Sequence, residues 1–272
     1  METTKKKLIS RREYEWLKTF EKLEPLEIAK IDEYEKKNIR VFVEASKPKP
    51  KQEVKKVVIT KALVWRKFKE SFKILTGNDF IEIPDTLKNI APIITYFAKD
   101  PSFFKCDNLV KQIGTISLKP NFKKGLLIVG DYGNGKTSTM YAVQKFMQYY
   151  RMPGWFKGYK SHELVTIFEG TETPESRKEY FKRFGEHRLY IDDVKKEKLA
   201  SNFGKVDIIR EILEKRYDNK VVTYITCNYR EGEPGNIEDA LAEFGEKYGG
   251  HLYDRIFEMF NIIEFKGKSF RV

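Results

Sequence analysis

The chain has 272 residues, 40% hydrophobic and 14% aromatic, enough to build a core without disulfide or metal staples. With 34% charged residues and no apolar run near the roughly 20 residues of a membrane helix, a disordered chain and a helical membrane span are both excluded. The net charge of +12 favours a polyanionic partner and says nothing about fold. Two cysteines, Cys106 and Cys227, offer no disulfide framework, and no CxxC or His-rich cluster suggests structural zinc. The opening METTKKKLIS has lysines but no apolar stretch of a secretory signal, so the expected setting is the cytoplasm.

Taken in chain order, residues 1–78 are expected to form a small, basic, mostly helical N-terminal region for partner or DNA binding. Tyr14, Leu17 and Glu21 share one helical side, and Trp16, Phe20 and Leu23 another. Ala45-Ser-Lys-Pro-Lys-Pro-Lys-Gln52 opens an extended linker near 45–56, because proline removes backbone donors and the lysines repel one another. Trp65, Phe68, Phe72 and Leu75 then mark an amphipathic helix ended by Gly77. Its other face carries Lys61, Arg66, Lys67, Lys69 and Lys73, either a solvated face or a contact for nucleic acid or protein.

Residues 79–272 alternate strand and helix patterns, which predicts a parallel α/β sheet flanked by helices. Leu126-Leu-Ile-Val129 is a continuous apolar run, as in a strand buried on both faces. A helix is predicted over 136–150, a strand at Arg188-Leu-Tyr-Ile191 and a helix over 205–217. Strands at Val221–Thr226 and Ile262-Ile-Glu-Phe265 complete the pattern.

The segment Gly130-Asp131-Tyr132-Gly133-Asn134-Gly135-Lys136-Thr137 matches G-x-x-x-x-G-K-[ST], the phosphate-binding P-loop, between a strand and a helix. Gly133 and Gly135 let successive N–H groups curl toward phosphate oxygens, and the helix adds its positive end. Lys136 reaches the terminal phosphates of ATP, Thr137 takes a place on Mg²⁺, and Ser138 completes the loop. Ser138 also stands where a dinucleotide fingerprint needs its third glycine.

His187-Arg-Leu-Tyr-Ile-Asp192-Asp193 delivers two carboxylates at a strand end, with room before it for one intervening strand and its helices. Asp192 is the expected Mg²⁺ ligand and Asp193 the residue that polarises the attacking water, the alternative for both being helix caps. Asp193 stands where many such ATPases carry glutamate, a shorter arm that bears on rate. Asn228, ending the next strand, is placed to orient the lytic water, or else is a turn asparagine.

In this order the motifs resemble the AAA+ superfamily, most of all the branch of DnaC-type helicase loaders and IstB-type transposition ATPases. The residues are Lys124-Gly-Leu-Leu-Ile-Val-Gly130 with its loop, Ile191-Asp-Asp-Val194, Asn202-Phe-Gly204 and Glu211-Ile-Leu-Glu-Lys-Arg-Tyr217. They continue with Thr226-Cys-Asn228, Tyr248-Gly249, Tyr253-Asp-Arg-Ile-Phe-Glu-Met259 and the stretch from Phe260 to Arg271. The resemblance covers roughly 80–272 and implies an AAA+ P-loop fold without a C-terminal helical lid. It further implies a ring or spiral homo-oligomer with ATP between subunits. Arg255 matches the arginine that enters a neighbour's site, unless it pairs with Glu258 three residues on. Arg216 is a second candidate for an intersubunit role, or a favourable helix C-terminal charge.

The functions implied are a DNA-associated ATPase that loads or remodels a replicative helicase, or a transposition ATPase that assembles on DNA and recruits a transposase. A low-turnover, ATP-switched adaptor is a third possibility. A small-molecule kinase fits poorly, since no arginine-rich lid segment is present.

Overall fold

The computed structural model describes residues 14, 18, 28–37, 59–201 and 204–270. Contacts divide the chain into two units, Met1–Val58 and Ile59–Val272. In the first, helix α1 spans residues 28–37. The Tyr14 ring stacks on Tyr34 at 4.5 Å, its hydroxyl donates to Glu35, and Lys18 pairs with the same carboxylate at 2.7 Å. The linker near 45–56 and the expected helical faces of Leu17, Glu21, Trp16, Phe20 and Leu23 lie outside the described residues.

The second unit begins with α2 (Lys61–Thr76), capped by the Thr60 hydroxyl and stopped at Gly77, whose φ of 77° suits a residue without Cβ. Helix α3 (Pro84–Ala98) and a 3₁₀ turn (Pro101–Lys105) follow, then a small hairpin of β1 (Gln112–Ile113) and β2 (Ile116–Ser117). The rest alternates: β3 (Gly125–Gly130), α4 (Lys136–Tyr149), β4 (Lys157–Lys160), α5 (Ser161–Glu169), α6 (Pro174–Glu186) and β5 (Leu189–Asp192). It closes with α7 (Ile208–Asp218), β6 (Thr223–Asn228), α8 (Ile237–Tyr248), α9 (Gly250–Met259) and β7 (Phe260–Phe265).

The main sheet has the order β4-β5-β6-β3-β7, with every pairing parallel. Side chains alternate across it, so Leu126 and Ile128 pack with Phe68, Ile93, Val143 and Phe146 on one face. Leu127 and Val129 pack with Leu164, Phe184, Ile212, Leu241 and Ile256 on the other. Two apolar layers around one sheet explain why the β3 sequence is an unbroken apolar run. Cys227 is a fully buried core residue. Among the described residues no helix is long and apolar enough to cross a membrane.

The division by contacts falls before helix α2, whereas the sequence reading placed a boundary after residue 78. Val64 and Phe68 are buried in the same core as β3 and α4, so the helix belongs to the sheet unit. Its basic face is also largely committed: Lys67 and Arg66 face Glu70, Lys69 pairs with Glu82 and Lys73 with Asp79. Such exposed pairs are worth at most about 1 kcal/mol each, so a polyanion could displace them.

The intervening strand is β4, Lys-Gly-Tyr-Lys, an edge strand with no apolar run to betray it. A Cβ at Gly158 would stand 2.6 Å from Gln144 and 2.9 Å from the Tyr141 and Tyr190 rings. Glycine there lets α4 close over the edge of the sheet.

Candidate active site

Strand β3 ends at Gly130, and the chain turns back through Asp131–Gly135 into α4. Gly133 and Gly135 have φ of 74° and 91°, the left-handed region that a Cβ disfavours. Gly135 is the N-cap of α4 and brings no side-chain acceptor, so the helix end presents its amides to an anion. Lys136 is buried against this loop. Its Nζ donates to the carbonyls of Gly130 (2.8 Å) and Asp131 (2.6 Å) and to the side-chain oxygens of Asn134 (3.2 Å) and Asn228 (3.1 Å). Burial lowers its pKa to about 8 against the pull of the nearby Asp193, Asp131 and Asp192 carboxylates, so the ammonium is mostly charged at neutral pH.

Asp192, at the end of β5, is buried, and its Oδ1 accepts from the hydroxyls of Thr137 (2.9 Å), Thr226 (2.7 Å) and Tyr190 (2.5 Å). Asp193 follows with φ of 56°, a left-handed conformation that aspartate tolerates better than most residues. Its N–H donates to Thr226 Oγ1, its carbonyl accepts from Ser161, and its carboxylate accepts from Asn228 Nδ2 at 2.7 Å. Asn228 thus bridges Lys136 and Asp193 with the two ends of one amide. Neither acid caps a helix, since α7 begins later and its cap is Asp207. Nor is Asn228 a free turn residue.

A cleft of about 680 Å³, within the usual size of a ligand site, opens over these groups. The phosphate loop from Tyr132 to Ser138, Asp193, Thr226 and Asn228 line its floor. Phe72 and Thr76 of α2, Phe80 and Ile81 beyond it, Ile90 of α3 and Phe270 are among the residues that line the rest, with the polar Asp79, Asn89 and Lys196. The sequence reading gave residues 72–90 no place in the site. Their only sequence signal was the aromatic spacing of α2, whose Phe72 packs edge-on to Phe80 at 5.3 Å. Phe270 N–H donates to Gly133 O at 3.0 Å, bringing the last described residue over the loop.

Thr137 and Asp192 supply hard oxygen donors of the kind Mg²⁺ takes, one carboxylate and one hydroxyl beside a phosphate cradle. No larger His, Cys, Asp or Glu cluster occurs among the described residues.

Arg216 requires a correction. It is fully buried, and its guanidinium donates to Thr223 Oγ1 and to the carbonyls of Phe184, His187 and Val222. With four of its five N–H donors spent inside the fold, it ties α6, α7 and the start of β6 together and exposes no surface of its own. Burial lowers its pKa to about 9. Arg255 is half-buried on α9 and does not pair with Glu258. Its guanidinium lies over the Tyr217 ring at 4.5 Å, and Tyr217 OH donates to Glu258 instead. Arg255 is not among the residues lining its own chain's cleft.

No protein-family model matches the chain, and neither does any curated protein. Among solved structures, the DnaC helicase loader is similar at 20% identity and a TM-score of 0.46, over 71% of this chain and 96% of that one. DnaI is similar at 17% identity and 0.43, over 75% and 93%. Domain III of the Thermotoga maritima replication initiation protein DnaA is similar at 15% and 0.40, over 69% and 65%. These are remote likenesses. The fold of the chain is a five-stranded parallel sheet with a P-loop between β3 and α4.

Proposed function

We propose that the chain is a Mg²⁺-dependent AAA+ ATPase that acts with DNA to load or remodel a replicative helicase. The observation that carries the ATPase half is the convergence of Lys136, Thr137, Asp193 and Asn228, from three strand ends, on one cleft, with Asp192 directly behind it in hydrogen bond to Thr137. The partner half is supported by the order of motifs in the sequence and by the net charge.

In this reading the phosphate-loop amides and Lys136 hold the β- and γ-phosphates, and the aromatic upper cleft takes the base. Thr137 and Asp192 would hold Mg²⁺, which when bound neutralises charge on the phosphoryl oxygens. Asp193 accepts the proton of the attacking water, and Asn228 fixes its carboxylate while touching Lys136, so lytic and phosphate-binding groups move as one unit. Arg255 serves the site of a neighbouring subunit in a homo-oligomer.

Lys136→Ala removes the charge facing the terminal phosphates, and ATP affinity should collapse in a fluorescent-nucleotide titration. Asp193→Asn should keep ATP bound, since Asp192 and Thr137 are untouched, while hydrolysis falls by about 10²–10⁴, the usual worth of a general base. Parent-rate hydrolysis by Asp193→Asn rules out the assignment of the base.

DNA binding is expected to be independent of sequence and steeply salt-dependent, because each phosphate neutralised by lysine or arginine releases counterions. Plotting log K against log salt counts the phosphates engaged. A flat slope assigns the positive charge to solubility or to a protein partner.

A further inference from the structure

We propose that Tyr190 and Thr226 are positioning residues that hold the Asp192 carboxylate in one orientation for a divalent cation. The proposal rests on the phosphate and metal reading above and adds two residues to it.

All three hydroxyl hydrogen bonds to Asp192 fall on the same oxygen, Oδ1. The direction of each is forced. Thr226 Oγ1 sits between an N–H that can only donate, that of Asp193 at 3.0 Å, and a carboxylate that can only accept. Its single proton therefore goes to Asp192. Tyr190 OH has two neighbours, Asp192 Oδ1 and, at 3.3 Å, Thr226 Oγ1, and the charged oxygen is the stronger acceptor. Thr137 likewise sends its proton to Oδ1, which leaves its lone pairs for a cation. With three donors on Oδ1, Oδ2 receives none of these hydroxyls and is the oxygen left for the metal.

Packing does not ask for a hydroxyl at residue 190. The ring is fully buried among apolar groups, 5.4 Å from the Tyr141 ring and 6.2 Å from that of Phe156, where phenylalanine would fit equally well. The glycine at 158 leaves the ring its room. What the tyrosine adds is the one bond to Asp192. Thr226 does more, because its hydroxyl also holds the N–H of Asp193 and its carbonyl accepts from Val194 N–H at 3.0 Å. It therefore sets the backbone of the second acid as well as the side chain of the first.

The test titrates Mg²⁺ into the full chain with a fluorescent ATP analogue, alongside the same titration of nucleotide in EDTA. Tyr190→Phe should raise the half-saturating Mg²⁺ concentration by about 10–100-fold, the usual cost of losing an outer-shell partner, with affinity in EDTA unchanged. Thr226→Val should shift Mg²⁺ similarly and also lower turnover at saturating Mg²⁺, because Asp193 loses its anchor. Thr226→Ser keeps the hydroxyl and should restore both. Parent-like Mg²⁺ titrations for Tyr190→Phe and Thr226→Val overturn the proposal while the phosphate site stands. Equal loss of affinity with and without Mg²⁺ overturns it too, because that is a collapsed loop. A parent chain that binds nucleotide with no response to Mg²⁺ overturns the metal reading and this inference together. If Thr226→Val does not stay folded, Tyr190→Phe alone decides.

Discussion

Arg255→Ala should bind ATP almost as the parent does and lose about 10³–10⁵ in hydrolysis, the worth of an arginine that completes a neighbour's phosphoryl-transfer site. The physical reason lies in where Arg255 stands. It is half-buried on α9, lies over the ring of Tyr217 and takes no part in lining the cleft of its own chain. In the proposed homo-oligomer its charge would act on the phosphoryl group of another subunit, stabilising negative charge that develops only in the transition state. Ground-state affinity within one chain should hardly change. Mixing Arg255→Ala with Lys136→Ala should restore part of the activity, because the second variant presents an intact Arg255 to the first variant's intact phosphate loop. Turnover should also rise faster than linearly with protein concentration. Full specific activity in a dilute monomer, or no rescue when the two variants co-assemble, returns Arg255 to the role of a surface arginine stacked on Tyr217.

Arg216→Ala should damage the fold rather than assembly. The substitution removes the donor to the carbonyls of Phe184, His187 and Val222 and to Thr223 Oγ1, which keeps its own bond to Val221 O, and leaves a cavity where the largest fully buried side chain among the described residues stood. At about 1–3 kcal/mol for each buried polar group left without a partner, the loss reaches several kcal/mol. A whole domain is stable by only about 5–15 kcal/mol. With roughly 2–4 °C per kcal/mol for a domain of this size, Tm should drop by on the order of 10 °C, or the chain should be recovered unfolded. Circular dichroism melting decides. A variant that melts with the parent yet hydrolyses slowly would reinstate an intersubunit role for Arg216.

The positions of the glycine loop, the two acids and Asn228 at neighbouring strand ends were legible in the sequence because each depends on local chemistry. Glycines at positive φ, a lysine and threonine opening a helix, and polar residues ending apolar strands leave their mark within a few neighbours. The buried strands were legible for the same reason, being unbroken apolar runs between two layers of helix. Strand β4 was not, since an edge strand of Lys-Gly-Tyr-Lys needs only backbone pairing with β5 and little apolar surface. The fate of Arg216 was also hidden. An arginine in a helix sequence looks exposed, and only the convergence of α6, α7 and β6 supplies enough carbonyls to bury it.

The sequence by itself determined the parallel α/β class and the glycine-shaped turn between β3 and α4, because periodicity and glycine placement act over short stretches of chain. Tertiary structure alone decided that α2 belongs to the sheet unit, that residues 72–90 wall the cleft, and that Tyr190 and Thr226 meet on one oxygen of Asp192. Those outcomes come from the β4-β5-β6-β3-β7 order, which sets β6 between β3 and β5 and so carries Thr226 and Asn228 between the phosphate loop and the two acids. Strand order is chosen by packing among distant segments, and such pairings leave no local periodicity to read.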